Sequence, residues 1–141
     1  MRCSAQEVWL AALGNVVVRR PGEPEVYAAT ADLHERFAPA NPNWGDPPLA
    51  EDVRATSAGW GEIEDPGGLF GPTVVRWYPM VQWCTGAGFV DLLRSLSLYR
   101  CLDREVREPL LDAIAERIRT RMSDRVSRRY LSVLRVGQRV E

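Results

Sequence analysis

Residues 129–136 read RYLSVLRV, and the fold turns on whether this run is a strand inside a sheet or on its border. Tyr130, Leu131, Val133, Leu134 and Val136 leave almost no polar face, so the run reads as an interior strand. Just upstream, residues 89–118, FVDLLRSLSLYRCLDREVREPLLDAIAERI, read as two amphipathic helices in succession. Thr85 is a good N-cap for the first, whose apolar stripe is Phe89, Leu92, Leu93 and Leu96. Asp103 caps the second, with Glu105 in its first turn and Arg117, Arg119 and Arg121 in its last turns, as the helix dipole favours. The inward face of that helix is Val106, Leu110, Leu111, Ile114 and Ile118. Pro109 deletes one helical bond and predicts a kink or a late start.

Further upstream, Val74–Trp83 (VVRWYPMVQW) has the β-branched and aromatic content of a strand. Pro79 in its middle cannot donate to a ladder, which assigns it to a sheet edge or a bulge. At the amino-terminal end, Glu7–Val18 reads as a buried strand with cover on both faces, as in a parallel sheet. The turn RRPGEP follows, then a helix over Glu25–Phe37 with Val26, Ala29, Leu33 and Phe37 spaced by three or four. PANPNWGDPP (39–48) is too rich in proline for regular structure. Val53–Ser57 is a short link, helical or extended. WGEIED (60–65) reads as a short strand ending in the turn DPGGLFGP. The predicted order is strand, helix, strand, strand, helix, helix, strand, in a single domain spanning 1–141.

At 141 residues and 45% hydrophobic the chain has apolar material for one core. A net charge of −1 argues against a general nucleic-acid or membrane-surface binder. Every basic residue is Arg and none is Lys, a bias that codon usage explains more simply than phosphate recognition. Cys3, Cys84 and Cys101 form no CxxC and fit a reducing cytosol. Val8–Leu13 is too short an apolar run to be a leader or a membrane span, so the expected location is cytoplasmic.

Several groups invite a chemical reading. His34 in TADLHERF could act as a base, but on a polar helix face it reads as solvated. Glu62, Glu64 and Asp65 lie together beside a turn and could form an acid–base pair, but a solvated turn accounts for them more simply. One His and scattered Cys give no metal constellation, and no catalytic residue is assigned. Trp44, Trp60, Trp77, Trp83 and Tyr78 offer rigid apolar surface for an organic ligand. Trp77 and Trp83 share a strand face with Val75 and Val81, where core packing competes with ligand contact. Trp44 and Trp60, in loops, are therefore the better ligand candidates.

Three stretches carry a resemblance. LAALGNVVVRRPGEPEVYAA holds a strand and the helix after it, with Asn15 at the strand's end. VVRWYPMVQWCTGAGFVDLLRSLSLYRCLDREVREPLLDAI leads an aromatic strand through Thr85 into a leucine-rich helix, and RRYLSVLRVGQR supplies the final strand. In this order they resemble the C-terminal half of class I S-adenosylmethionine-dependent methyltransferases of the methyltransferase-11 kind, which act on small molecules. The resemblance implies an α/β, Rossmann-like fold of strand order 3-2-1-4-5-7-6, of which this chain holds strands 5, 6 and 7 with their flanking helices. Strand 7 would be antiparallel and interior, and strand 6 an edge where Pro79 is tolerable.

The same resemblance implies what the chain lacks. The family's glycine-rich loop and acidic ribose ligand lie in the first half of its fold, and the cluster DPGGLFG precedes a strand rather than a helix, so it reads as a turn. S-adenosylmethionine is thus the cofactor of the complete family fold, and no cofactor-binding residue or bound cofactor is expected for this chain alone. Asn15, Trp44 and Trp60 are the candidate substrate-binding residues, and the acceptor would be a small organic molecule. The alternative is a non-catalytic accessory or dimerising subunit. Its partner, a separately encoded N-terminal half or a second copy, would pair through the open edge of the Val8–Leu13 strand. A third reading, RNA binding by the Arg-rich region 94–139, is opposed by the acidic residues interleaved there.

Overall fold

A computed structural model describes residues 7–23, 25–40, 47–56 and 67–140. Their elements are β1 (Trp9–Val18), α1 (Val26–Ala29), α2 (Ala31–Phe37), α3 (Ala50–Thr56), β2 (Val74–Cys84), α4 (Gly86–Ser95), α5 (Ser97–Arg100), α6 (Arg104–Arg121) and β3 (Val126–Gln138). The chain is mixed α/β, with one three-stranded sheet in the order β1-β3-β2. RYLSVLRV lies in the middle strand as its apolarity requires, and β3 runs antiparallel to both neighbours. β1 and β2 therefore point the same way and are the two borders of the sheet.

The hydrogen-bonding parity of the border strands follows from the register. Arg139 N–H donates to the Val8 carbonyl at 2.8 Å, which continues the pairing of Trp9 with Gln138. In an antiparallel ladder the residues of one strand turn their backbone groups alternately inward and outward. Even-numbered residues of β1 thus bond to β3, and the N–H and C=O groups of residues 9, 11, 13, 15 and 17 point away from the sheet. Propagated through β3, the same alternation makes the odd residues of β2 the outward ones. Pro79 is among them, so its missing N–H falls on the free border and removes no ladder bond.

The sheet's two faces are covered unequally. On one, the helical face, a core of Val26, Tyr27, Leu33, Phe89, Val90, Leu93, Tyr99, Leu110, Leu111, Ile114, Ile118 and Val126 packs with Val17 and Cys84. This cover lies at the end of the sheet where β1 and β2 finish and β3 begins. On the other face Val53 of α3 closes over Val16, Val18 and Leu131, with Trp77 alongside. The helical face beyond this cover is bare: Leu13 is 71% exposed, Trp9 56%, Tyr78 51% and Val74 49%. The expectation that Glu7–Val18 is covered on both faces is corrected here. Its apolar first half lies on a border, with no helix of the described residues packed over it.

The helices show what local rules settle. Thr85 caps α4 as expected, its Oγ accepting from Gly88 N–H at 3.2 Å. Gly86 permits a close approach, because a Cβ there would meet Ala115 O and Asp124 Oδ1, each at 3.0 Å. Its N–H instead donates to Asp124 Oδ1 at 2.8 Å, with Asp124 in the left-handed region (φ 51°). Asp103 stands at the N-cap of α6 without a side-chain cap bond, and Pro109 sits inside the helix, which nonetheless starts at Arg104. The late start expected at Pro109 is thereby corrected. The single helix expected over Glu25–Phe37 is two, parted at Thr30, whose hydroxyl donates back to Val26 O at 2.8 Å. Of the link expected at 53–57, residues 53–56 are helical within α3, while Ser57 and the strand expected at WGEIED lie outside the described residues.

The Arg-rich helices are laced with ion pairs. Arg117 forks onto Asp32 at 2.8 and 2.9 Å and also reaches Ala29 O, tying α6 to α1 and α2. Arg94 and Arg107 share Glu108, and Arg119 pairs with Glu116. No helix among the described residues is long and apolar enough to cross a membrane.

Candidate functional site

In open α/β sheets ligands gather beyond the carboxyl ends of the strands. Here that margin is made by the ends of β1 and β2 and the beginning of β3. On the α3 face, between the end of β1 and the middle of β2, is an open cleft of about 230 Å³. Val18, Pro79, Met80 and Leu131 form its floor, and Leu49 and Ala50 at the start of α3 form one wall. Continuous apolarity at the end of β1 supplies that floor, and Pro79, unable to pair outward, leaves the cleft unroofed by any further strand. Three guanidinium groups, Arg19, Arg20 and Arg129, stand among the lining residues.

These arginines differ in their partners. Arg129 donates two bonds to Glu23 at 2.8 Å each, and Arg20 reaches the same carboxylate at 3.4 Å. The bond from Arg129 is the leading reason that Glu23 titrates below the usual carboxylate range. Arg19 donates its backbone N–H to Pro48 O at 3.0 Å, and its Nε is buried without an acceptor among the described residues. Apolar walls suit a small, mostly apolar molecule, with the arginines and the Glu51 carboxylate among the lining residues. No nucleophile–base pair lies in the cleft.

The residues that sequence reasoning put forward are not gathered there. Asn15 is in the middle of β1 rather than at its end, exposed, and its Oδ1 accepts from Ser132 Oγ at 2.6 Å across the ladder. It lines neither the cleft nor the hollow beside Trp83, because the strand continues to Val18 and carries the margin three residues further. Trp44 and Trp60 lie outside the described residues, as do Glu62, Glu64 and Asp65. Trp77 is packed under α3 and Trp83 is exposed, with Arg125 stacked 4.2 Å from its ring centroid. Core packing therefore claims only one of the pair.

His34 corrects the expectation of a solvated side chain. It is buried, with Nδ1 2.9 Å from Thr30 O and Nε2 2.7 Å from Tyr99 Oη. A carbonyl only accepts, so Nδ1 carries the proton and Nε2 accepts from the tyrosine. Both nitrogens are spent on the core, and burial pushes the Tyr99 phenol well above its usual range. Arg128 was invisible to sequence reasoning. It is 5% exposed on the helical face, over the rings of Tyr130 (5.0 Å) and Tyr27 (5.9 Å). Tyr130, two positions on and on the same face of the strand, is the one local signal in the sequence. Burial also raises the Cys84 thiol above its ordinary value. Among the described residues no three metal-ligating side chains come together.

No protein-family model matches the sequence, and no curated protein matches it.

Proposed function

We propose that this chain carries strands 5, 6 and 7 of a class I methyltransferase fold and contributes its acceptor side. The observation behind the reading is the sheet order β1-β3-β2, with β3 interior and antiparallel to both neighbours. That is the arrangement the resemblance requires of the last three strands, including Pro79 on the border. The cleft between the end of β1, the middle of β2 and the start of α3 is then the acceptor site. Methyl transfer is an in-line displacement that depends on orientation and exclusion of water, which apolar walls and an anchoring guanidinium supply.

The residues present do not fit the cofactor. Gly67 and Gly68 (φ 62°) form a turn that runs into the Phe70–Arg139 bridge and then β2, instead of opening a helix. The carboxylate among the cleft's lining residues, Glu51, stands on α3 and not at the end of a strand. Calorimetry with S-adenosylhomocysteine should be silent for this chain, and micromolar binding would refute this account. Benzoate, as a probe of the acceptor side, should shift the amide resonances of Val18–Arg20 and of Met80 and Val81. Shifts confined to other residues would sink the cleft as the acceptor site.

A second reading rests on a separate observation. The outward backbone groups of β1 meet no strand among the described residues until Arg19, where Pro48 and Leu49 bridge it. An accessory subunit that pairs through this border fits that edge.

A further inference from the structure

The hollow beside Trp83 lies at the carboxyl margin of the sheet, where β2 ends and β3 begins, and the function proposed above makes no use of it. It is open and about 360 Å³ in volume, with Trp83, Arg121, Ser123, Arg125, Ser127 and Glu23 among its lining residues. We propose that it binds the phosphate monoester of a small planar aromatic molecule. The phosphoryl group would lie on Arg121 and Arg125, and the ring on Trp83.

The cations of this hollow keep their donors unspent. The Arg125 guanidinium carbon sits 4.2 Å from the Trp83 ring centroid, a stacking that orients the group and uses none of its N–H bonds. Arg117 and Arg119, on the turn before, are paired with Asp32 and Glu116. Arg121 and Arg125 have no carboxylate partner among the described residues. The one carboxylate in the lining, Glu23, is already occupied. Its Oε2 accepts from Arg129 Nε at 2.8 Å, and its Oε1 from Arg129 Nη2 at 2.8 Å and Arg20 Nη1 at 3.4 Å. A phosphate monoester, close to −2 at neutral pH with three acceptor oxygens, matches two forked cations better than a singly charged carboxylate.

The helix end explains only half of this arrangement. α6 stops at Arg121, where its dipole favours a cation, but Arg125 lies four residues further on. The intervening turn is anchored, with Asp124 Oδ1 accepting from Gly86 N–H at 2.8 Å and Ile118 O accepting from the N–H groups of both Met122 and Asp124. The backbone that carries both arginines is thus set before a ligand arrives, which lowers the ordering cost of binding. Trp83 is 56% exposed, so indole surface remains for a planar ring beside the stacked guanidinium. Because Asp32 and Glu116 neutralise the arginines on the turn before, the free cations form no track for a nucleic-acid strand.

Amide NMR of the full chain with phenyl phosphate tests the proposal. The expected result is saturable shifts of the Trp83 indole N–H and of the amides from Arg121 to Ser127. These are not the residues that report on the cleft, so the two readings fail separately. Arg121→Gln and Arg125→Gln should each weaken binding about tenfold or more. Arg119→Gln, whose guanidinium is held by Glu116, should leave it unchanged. All three side chains are exposed, so the variants should keep the wild-type spectrum elsewhere. Equal binding of benzoate at these residues would overturn the phosphoryl assignment. Inorganic phosphate binding as tightly as phenyl phosphate would overturn the stacked ring. An oligonucleotide without terminal phosphates that binds more tightly would replace the small ester with a nucleic-acid strand. Absence of shifts at millimolar phenyl phosphate, or an equal loss in Arg119→Gln, would overturn the site itself.

Discussion

β1 and β2 flank the same central strand, run in the same direction and are nearly equal in length, yet their outer margins are opposites. β2 turns a proline outward at mid-strand. Its end is held by Thr85 and the cap of α4, although most of its side chains, Tyr78 and Trp83 among them, are exposed too. β1 turns outward five residues with complete backbone groups and keeps half its apolar side chains in water. Border status in a sheet is thus set less by hydrophobicity than by what the outward residues can still donate. The more apolar strand is the one left open.

The largest effect should come from breaking what the two borders share. Leu131 is fully buried in β3 between Val16 and Pro79. Leu131→Ala should cost about 2–5 kcal/mol, read as a lower urea midpoint with both border strands losing exchange protection together. Loss confined to one border would mean that the two are not held by a common strand.

Pro79→Val sharpens the contrast by giving β2 an outward N–H. The monomer's ladder bonds are untouched, so the urea midpoint should move by less than about 1 kcal/mol. With two unblunted borders the chain should form species larger than the wild-type assembly, seen as faster-sedimenting boundaries. An unchanged distribution would show that Pro79 does not guard that margin.

The smallest effect concerns the turn after β1. Glu23 joins that turn to Arg129 of β3, and its carboxyl is held below its ordinary range by that bond. A lowered folded-state pKa contributes stability that is present above the unfolded carboxylate range and lost as pH falls through the folded value. Glu23→Gln should therefore be slightly less stable than wild type at pH 7, and the two should converge in acid. A gap that persists at low pH would assign the difference to packing, not charge.

Much of this architecture was legible in the chain itself. RYLSVLRV gave the interior strand because apolarity on both faces has few other uses, and Pro79 gave a border because proline lacks a donor. The stripes of α4 and α6 follow from spacing alone. What failed had distant causes. His34 looked solvated because its partner Tyr99 lies 65 positions away. β1 looked covered because apolarity reports the wish for cover, not its presence. Asn15 looked terminal because Gly14-Asn15 resembles punctuation, whereas the β-branched run Val16–Val18 extends the strand through it. Arg128 went unremarked because one of its aromatic companions, Tyr27, comes from the distant α1. The cleft itself could not be seen, since α3 falls across the sheet by tertiary packing.

The order in which these strands leave the ribosome follows from β3 being both central and last. Among the described strands, β1 and β2 each pair with β3, which is synthesised after both. From the emergence of Val18 to that of Val126, translation takes roughly 5–20 s. Throughout that interval β1 and β2 lack the strand that joins them, so the sheet of the described residues closes only when β3 emerges.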